Sequence, residues 1–265
     1  MSDHLTARIE ALLREVAANV VMPRFRTLAA ADIIEKSPGD LVTIADRESE
    51  LRLAEGLAAI LPEARIVGEE ATAADPSLLE RLDDGLVWLI DPIDGTSNFA
   101  EGISPFALMI ALLDNGKREG GWIYDPLANR LCHAVRGHGA FIDHQLVQAR
   151  ETGAALPVAA LATRFMAPEK WTNVEARSAG KLTIAPIPRC AGDQYPQLVL
   201  GVCDIALFER ALPWDHAAGA LFLEEAGGVI RRTDGSAYHV SDGQFGLLGA
   251  SSQRMWDEAA RVLFG

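Results

Sequence analysis

Four carboxylates stand where an apolar run or a turn breaks off: Glu69 after "ARIVG", Asp91 after "LVWLI", Asp94 just beyond it, and Asp215 behind Pro213 and Trp214. The densest stretch is "LVWLIDPIDGTSNFAEG", residues 86–102, where two acids, a proline and a glycine follow five apolar residues. Each acid alone has an ordinary explanation. Asp215 suits a helix cap, Asp91 before Pro92 suits a turn, and Glu69 with Glu70 suits a solvated edge. Gathered at one edge, however, carboxylate oxygens repel one another unless a hard cation joins them. An all-oxygen donor set points to Mg²⁺, which keeps water in its shell for chemistry. A calcium loop of the EF-hand type fails on spacing, because its second position is Pro92 and its twelfth, where Glu is needed, is Gly102. "GTSNF" reads as a turn into a short helix, whose first amides and dipole favour an anion. Carboxylates for a metal and a cradle for an anion, side by side, point to phosphoryl chemistry.

Elements must carry these residues to one place. Leu5, Ile9, Leu12, Leu13, Val16 and Val20 recur at helical spacing and predict an N-terminal helix ending near Pro23. "DLVTIADRESELRLAEGLAAILPEARIVGEE" reads as a turn, a second helix with Leu51, Leu53, Leu57 and Ile60 on it, and a short strand that delivers Glu69 and Glu70. "LVWLI" is a buried strand that delivers Asp91, with Asp94 in the following turn. From Phe106 to Asp143, turn signals at Asp114-Asn115-Gly116, Asp125-Pro126 and Gly137-His138-Gly139 predict an antiparallel meander.

The stretch 146–162 marks the expected boundary between an N-terminal αβ lobe, residues 1–146, and a C-terminal αβ lobe, residues 147–265. The second lobe reads as a helix around 193–201, the strand "CDIALF", a helix "WDHAAGALFLEEA" closed by Gly227-Gly228, the strands "VIRR" and "GLLGA", and a final helix. The class is α+β with α/β-type layers, and strands of parallel type would bring their acidic ends to a common edge.

A chain of 265 residues can build one large core or two closely packed lobes. Its net charge of −13, without a run of Lys or Arg, argues against direct nucleic-acid binding and leaves a bound cation to reverse the local sign for an anionic substrate. Cys132, Cys190 and Cys203 lack the spacing of a zinc site or a disulfide framework, so a reduced, cytoplasmic setting is expected. No apolar run approaches the ~20 residues of a membrane span. The histidines, His216 among them, show no ligand spacing, and the five tryptophans are assigned to the core.

"IVGEE", "WLIDPIDGTSNFAEG" and "PWDHAAGALFLEEAGG" resemble, in order and separation, the three signature segments of the inositol monophosphatase family of Mg²⁺-dependent, lithium-sensitive phosphatases. "KSPGDLVTIAD" looks like that family's mobile metal-gating loop, and "IYDPLANRLCHAVRGHGAF" like its central meander. The resemblance covers nearly the whole chain. It implies a five-layered α-β-α-β-α sandwich of the inositol monophosphatase and fructose-1,6-bisphosphatase type, commonly a homodimer, with two or three Mg²⁺ ions per active site.

By the same resemblance Glu69, Asp91 and the carbonyl of Ile93 would hold a first metal, and Asp91, Asp94 and Asp215 a second. Glu69, with Thr96 and Asp46 as a hydrogen-bonded relay, would activate the attacking water. Gly95 and Thr96 would receive the phosphate through backbone amides, and Gly192 and Glu209 would lie near the alcohol. Three departures are visible: Ser97 stands where Thr is usual, Glu209 precedes Asp215 by six residues where inositol-specific members place their Glu seven before, and "RCAGDQYPQ" replaces a small-residue segment.

The resemblance implies a phosphomonoesterase acting on a small phosphorylated metabolite, with myo-inositol 1-phosphate as the expected substrate. Histidinol phosphate, fructose 1,6-bisphosphate and adenosine 3′,5′-bisphosphate are alternatives on this fold. A non-enzymatic alternative is a binding partner of transcription or RNA-processing machinery, as some family members are.

Overall fold

The computed structural model of the chain describes residues 2–37 and 40–265. Helix α1 (Ser2–Val16) buries Ile9, Leu13 and Val16, and one π-helical turn, Ala17–Val21, continues the stripe through Val20 and Val21. Strands β1 (Ile33–Ser37) and β2 (Asp40–Thr43) form an antiparallel hairpin, so residues 40–43 are a strand and not the expected turn. Pro38 and Gly39, in the segment that resembles a metal-gating loop, lie outside the described residues. Helix α2 (Ile44–Ile60) starts on a reciprocal cap. Thr43 Oγ1 accepts the Ala45 amide at 3.1 Å, and the Asp46 carboxylate accepts the Thr43 amide at 2.8 Å.

Strand β3 (Arg65–Gly68) runs straight into a short helix, α3 (Glu69–Ala74), so Glu69 is a helical residue and not the end of a strand. Strand β4 (Leu86–Asp94) lies parallel to β3 and extends through Asp94, past the point where a turn was expected. The short helix α4 (Thr96–Glu101) leads to an antiparallel meander of β5 (Ala107–Asp114), β6 (Lys117–Asp125), β7 (Arg130–Val135), β8 (Ala140–Ile142) and β9 (Gln145–Val147). The result is a seven-stranded sheet in the order β3 to β9, parallel only between its first two strands.

The second sheet has the order β11-β10-β12-β14-β13. It comprises β10 (Val158–Ala162), β11 (Thr183–Ala185), β12 (Ile205–Phe208), β13 (Val229–Arg232) and β14 (Leu247–Ala250). Helices α5 (Pro168–Ser178), α6 (Ala191–Val199), α7 (Pro213–Glu225) and α8 (Gln253–Leu263) complete the chain.

Three apolar clusters show how the layers stack. Trp88, Ile90, Leu108 and Ile110 on one face of the large sheet bury with Ile9, Leu13, Leu53 and Leu57 of α1 and α2. Val87, Leu89 and Met109 on its other face bury with α6 and α7, which also cover Ala206, Phe208 and Ile230 of the second sheet. The far face of that sheet, Ile205, Leu207 and Leu248, packs on α5 and α8. The order α1/α2, large sheet, α6/α7, small sheet, α5/α8 is the five-layered α-β-α-β-α sandwich. Each fully buried Leu or Ile in it stabilises the fold by roughly 1.5–3 kcal/mol. Helix α7 is buried on nearly all sides, from Trp214 to Leu223, as a helix between two sheets must be.

Candidate active site

Asp91 and Asp94 are an odd number of residues apart on β4, and regular alternation would turn them to opposite faces. The pairing with β5 prevents this. Asp91 lies opposite Met109 and Asp94 opposite Ala107, so three steps on β4 match two on β5. One extra residue makes a bulge that re-aims the strand. Ile93 turns into the α1/α2 core, while Asp91 and Asp94 both line a pocket on the central-layer side. Asp91 is steadied by its own turn, Oδ1 accepting the Ile93 amide at 3.1 Å.

Glu69 and Asp215 line the same pocket. Glu69 is the first residue of α3, and that helix is anchored by Glu50, a buried side chain of α2. Glu50 accepts the amides of Glu70 at 2.7 Å and Ala71 at 2.8 Å, the role of a capping carboxylate supplied from another helix. Asp215 lies in the first turn of α7 behind Pro213, a residue preset for a helix start. It is not the cap, a position held by Leu212 without a side-chain bond.

Gly95 adopts φ 84°, a left-handed conformation that a side chain strains, and a Cβ there would stand 3.1 Å from the Pro105 carbonyl oxygen. That turn launches α4 directly beneath the two aspartates. Thr96 Oγ1 lies 2.9 Å from the Ile93 carbonyl oxygen and 3.1 Å from Asp46 Oδ1. Asp46 is buried behind the pocket wall, its other oxygen held by the Thr43 amide and hydroxyl, and its pKa is pushed up to about 7, chiefly by burial. Asn98, also buried, donates to the carbonyls of Pro105 at 2.7 Å and Pro188 at 2.8 Å, tying the turn to the segment before α6.

Burial dominates the electrostatics, and repulsion between carboxylates adds to it. Burial raises the pKa of Asp91 far above the usual carboxylate range, and the charges of Glu69, Asp94 and Asp215 push the same way. Burial and Asp215 raise Glu69, opposed by Lys36. Burial raises Asp94 against the lowering effect of three donors, the Cys190 thiol and the Gly192 and Ala191 amides. The Gly192 amide stands 2.5 Å from Asp94 Oδ2, and the Cys190 sulfur 3.0 Å.

Four hard oxygen donors, of which Glu69, Asp91 and Asp94 are driven toward the neutral form, make the setting that a divalent cation reverses, so the donor chemistry fits Mg²⁺. As the side chains stand, no three His, Cys, Asp or Glu groups among the described residues are in a ligating arrangement. One reason is visible: Lys36 Nζ lies 2.8 Å from Glu69 Oε1 and 2.8 Å from Glu70 Oε1, so an ammonium already partners one of the donors.

The residues singled out in the sequence divide into two groups. Glu69, Asp91, Ile93, Asp94, Gly95, Thr96, Glu209 and Asp215 line the pocket. Asp46 and Gly192 do not: Asp46 stands behind Thr96, and the Gly192 amide is spent on Asp94, with Cys190 and Ala191 taking its expected place on the wall. Glu209 is buried, and both its oxygens meet Lys170 Nζ, at 2.8 and 2.6 Å. Lys36, Glu50, Asn98 and Cys190 carry no sequence signal beyond their types. Arg164, Phe165, Arg189 and Arg210 also line the pocket.

An acid-lined pocket set in a five-layered sandwich defines a class, and the chain belongs to the inositol monophosphatase family, whose model matches residues 1–262. The inositol-1-monophosphatase of Bacillus subtilis is 29% identical over 250 residues, 91% of this chain and 89% of that protein. The Nus factor SuhB of Vibrio cholerae is 32% identical over 246 residues, covering 90% and 88% of the two chains. Among solved structures, the extragenic suppressor protein suhB of Bartonella henselae matches with a TM-score of 0.85 over 99% of both chains at 22% identity, a likeness of fold. The Thermotoga maritima IMPase matches with a TM-score of 0.80 at 25% identity, over 98% of this chain and 96% of its own.

Proposed function

We propose that the protein is a Mg²⁺-dependent phosphomonoesterase acting on a small sugar or polyol phosphate. The observation that carries this is the bulge that turns Asp91 and Asp94 into one pocket with Glu69 and Asp215, next to the left-handed turn at Gly95. Glu69, Asp91 and the Ile93 carbonyl are assigned to one metal, and Asp91, Asp94 and Asp215 to another. Ions held there supply an acidified water and charge neutralisation for the phosphoryl group.

The chain's own groups do the rest. Glu69 and Thr96, the latter backed by Asp46, orient the water and hold its proton. The amides of Gly95 and Thr96, at the first turn of α4, receive phosphate oxygens and fix the phosphorus for in-line attack. Buried walls of Phe208 and His216 keep bulk water from this end of the pocket. The division into lobes at 146/147, a homodimer and a cytoplasmic location belong to the same proposal; among the described residues no helix is long and apolar enough to cross a membrane.

The test is kcat/KM in Mg²⁺ and in EDTA for myo-inositol 1-phosphate, the expected substrate, alongside histidinol phosphate, fructose 1,6-bisphosphate and adenosine 3′,5′-bisphosphate. Turnover of at least one in Mg²⁺ and none in EDTA supports the proposal. Undiminished activity in EDTA sinks it.

A second reading follows from the relatives named Nus factor SuhB, at 30–32% identity. It makes the protein a binding partner of transcription machinery, with catalysis dispensable. Capture of the same transcription proteins by wild type and by Asp91→Asn would favour it, and an empty capture would dismiss it.

A further inference from the structure

Besides the four acids, Arg164, Arg189 and Arg210 line the pocket, and the carboxylate of Glu209, which also lines it, is neutralised by Lys170. The three arginines are not equivalent. Arg189 is committed to Glu101, with nitrogen–oxygen distances of 3.0 and 2.9 Å. Arg210 has Asp215 at 4.0 Å and lies 4.5 Å from the centre of the Phe165 ring. Arg164 meets no carboxylate among the described residues; its guanidinium lies 5.7 Å from the centre of the same ring. Phe165 itself is 45% exposed, so the ring that carries these guanidinium groups is open to solvent.

An aromatic ring under a guanidinium holds the cation at the wall while leaving its N–H edge open, and that edge suits a planar or tetrahedral anion in bidentate geometry. A neutral polyol would gain little here. Its hydroxyls would want the carboxylate of Glu209 as acceptor, and Lys170 occupies both oxygens of that group.

Resting on the phosphatase reading above, we infer that the preferred substrate carries a second anionic group, phosphate or carboxylate, on its alcohol half, bound by Arg164 against Phe165. The hydrolysed phosphate goes to the acid side of the pocket. The second anion stays on the arginine side and sets specificity.

Matched substrate pairs test this, each with the same alcohol skeleton bearing or lacking the second anion. They are fructose 1,6-bisphosphate against fructose 1-phosphate, and 2-phosphoglycerate against glycerol 2-phosphate. For wild type, kcat/KM favours the doubly anionic member of at least one pair by about tenfold or more, the scale of one charge-assisted contact; the pair that shows it identifies phosphate or carboxylate. In Arg164→Gln the ratio falls toward one, and Arg164→Lys restores part of it. Circular dichroism checks that each variant is folded. Equal use of both members of each pair, preference for the neutral ones, or a ratio untouched by Arg164→Gln overturns the inference and leaves the phosphatase standing. No turnover of any of the four in Mg²⁺, where myo-inositol 1-phosphate is hydrolysed, overturns this inference alone; no turnover of these four or of any substrate named above overturns the phosphatase reading with it.

Discussion

Glu50 lies so close to Gly68 that a Cβ on the glycine would stand 2.2 Å from the Glu50 carboxyl carbon. That carboxyl cannot swing aside freely, because it holds the Glu70 and Ala71 amides. The pair of residues therefore sets where α3 begins, and Glu69 is its first residue.

Gly68→Ala is expected to push Glu50 off both amides. Losing two hydrogen bonds to a buried charged group costs about 2–3 kcal/mol, and Glu69 shifts with the helix start. Urea unfolding should show the loss of stability, and kcat in Mg²⁺ should fall by about tenfold or more. Wild-type values for both would mean that Glu50 does not hold Glu69 in place.

Asp91→Asn should abolish phosphatase activity and leave the fold intact. The amide oxygen can still accept the Ile93 amide, while the charge whose burial and repulsion are so unfavourable disappears. In EDTA the variant should be as stable as wild type or more so. Retention of more than about a tenth of wild-type turnover would remove Asp91 from the centre of the chemistry.

His216 predicts a pH effect of defined sign. Its Nε2–H donates to the Arg210 carbonyl at 3.0 Å, so Nδ1 accepts from the Tyr195 hydroxyl at 2.9 Å and the ring is neutral. Burial first, then the charges of Arg210 and Arg232, push its pKa down to about 4. The unfolded chain binds this proton near pH 6.5, so the stability His216 contributes is complete above that value and is lost as pH falls toward 4, up to about 3 kcal/mol. The buried acids of the pocket titrate in the opposite sense, so the check is a difference: the unfolding free energy of wild type minus that of His216→Gln should shrink between pH 7 and pH 4. A difference flat across that range would show that the ring protonates freely in the folded state.

Binding of Mg²⁺ should raise the melting temperature of wild type in proportion to the logarithm of its concentration, because only the folded chain gathers all four acids. Asp215→Asn should weaken that response. Ca²⁺, larger and looser in its geometry, should bind and inhibit, and lithium should inhibit as the family resemblance implies. A melting temperature indifferent to Mg²⁺ from micromolar to tens of millimolar would argue against a site for it.

Much of this was legible because it rests on local pattern. The strand ending at Gly68, the apolar part of β4 from Leu86 to Ile90, the meander, and the helix after Trp214 all follow from apolar periodicity and turn chemistry. What sequence alone did not reveal depends on pairing across the sheet. Asp94 belongs to β4 only because β5 accommodates a bulge, and a spacing of three gives no hint of it. Residues 40–43 read as a turn because their partners, Ile33 to Ser37, lie across a hairpin. The short edge strand β11 and helix α5 carry little apolar pattern of their own and take their places from the sheet and from α8. Lys36, Glu50 and Lys170 act through partners 20 to 39 positions away, distances over which residue type says nothing about contact.

Helix α7 has an implication for biosynthesis. Glu69, Asp91 and Asp94 leave the ribosome early, on α3 and the large sheet, whereas Asp215 arrives only with the helix that both sheets must enclose. A nascent chain short of α7 owns three acids and the Gly95 turn but no closed pocket, so its hold on a metal ion and on a phosphate ester is incomplete. On the phosphatase reading, competence is thereby deferred until α7 is made, and a truncation that removes α7 takes with it both Asp215 and the layer that the two sheets enclose.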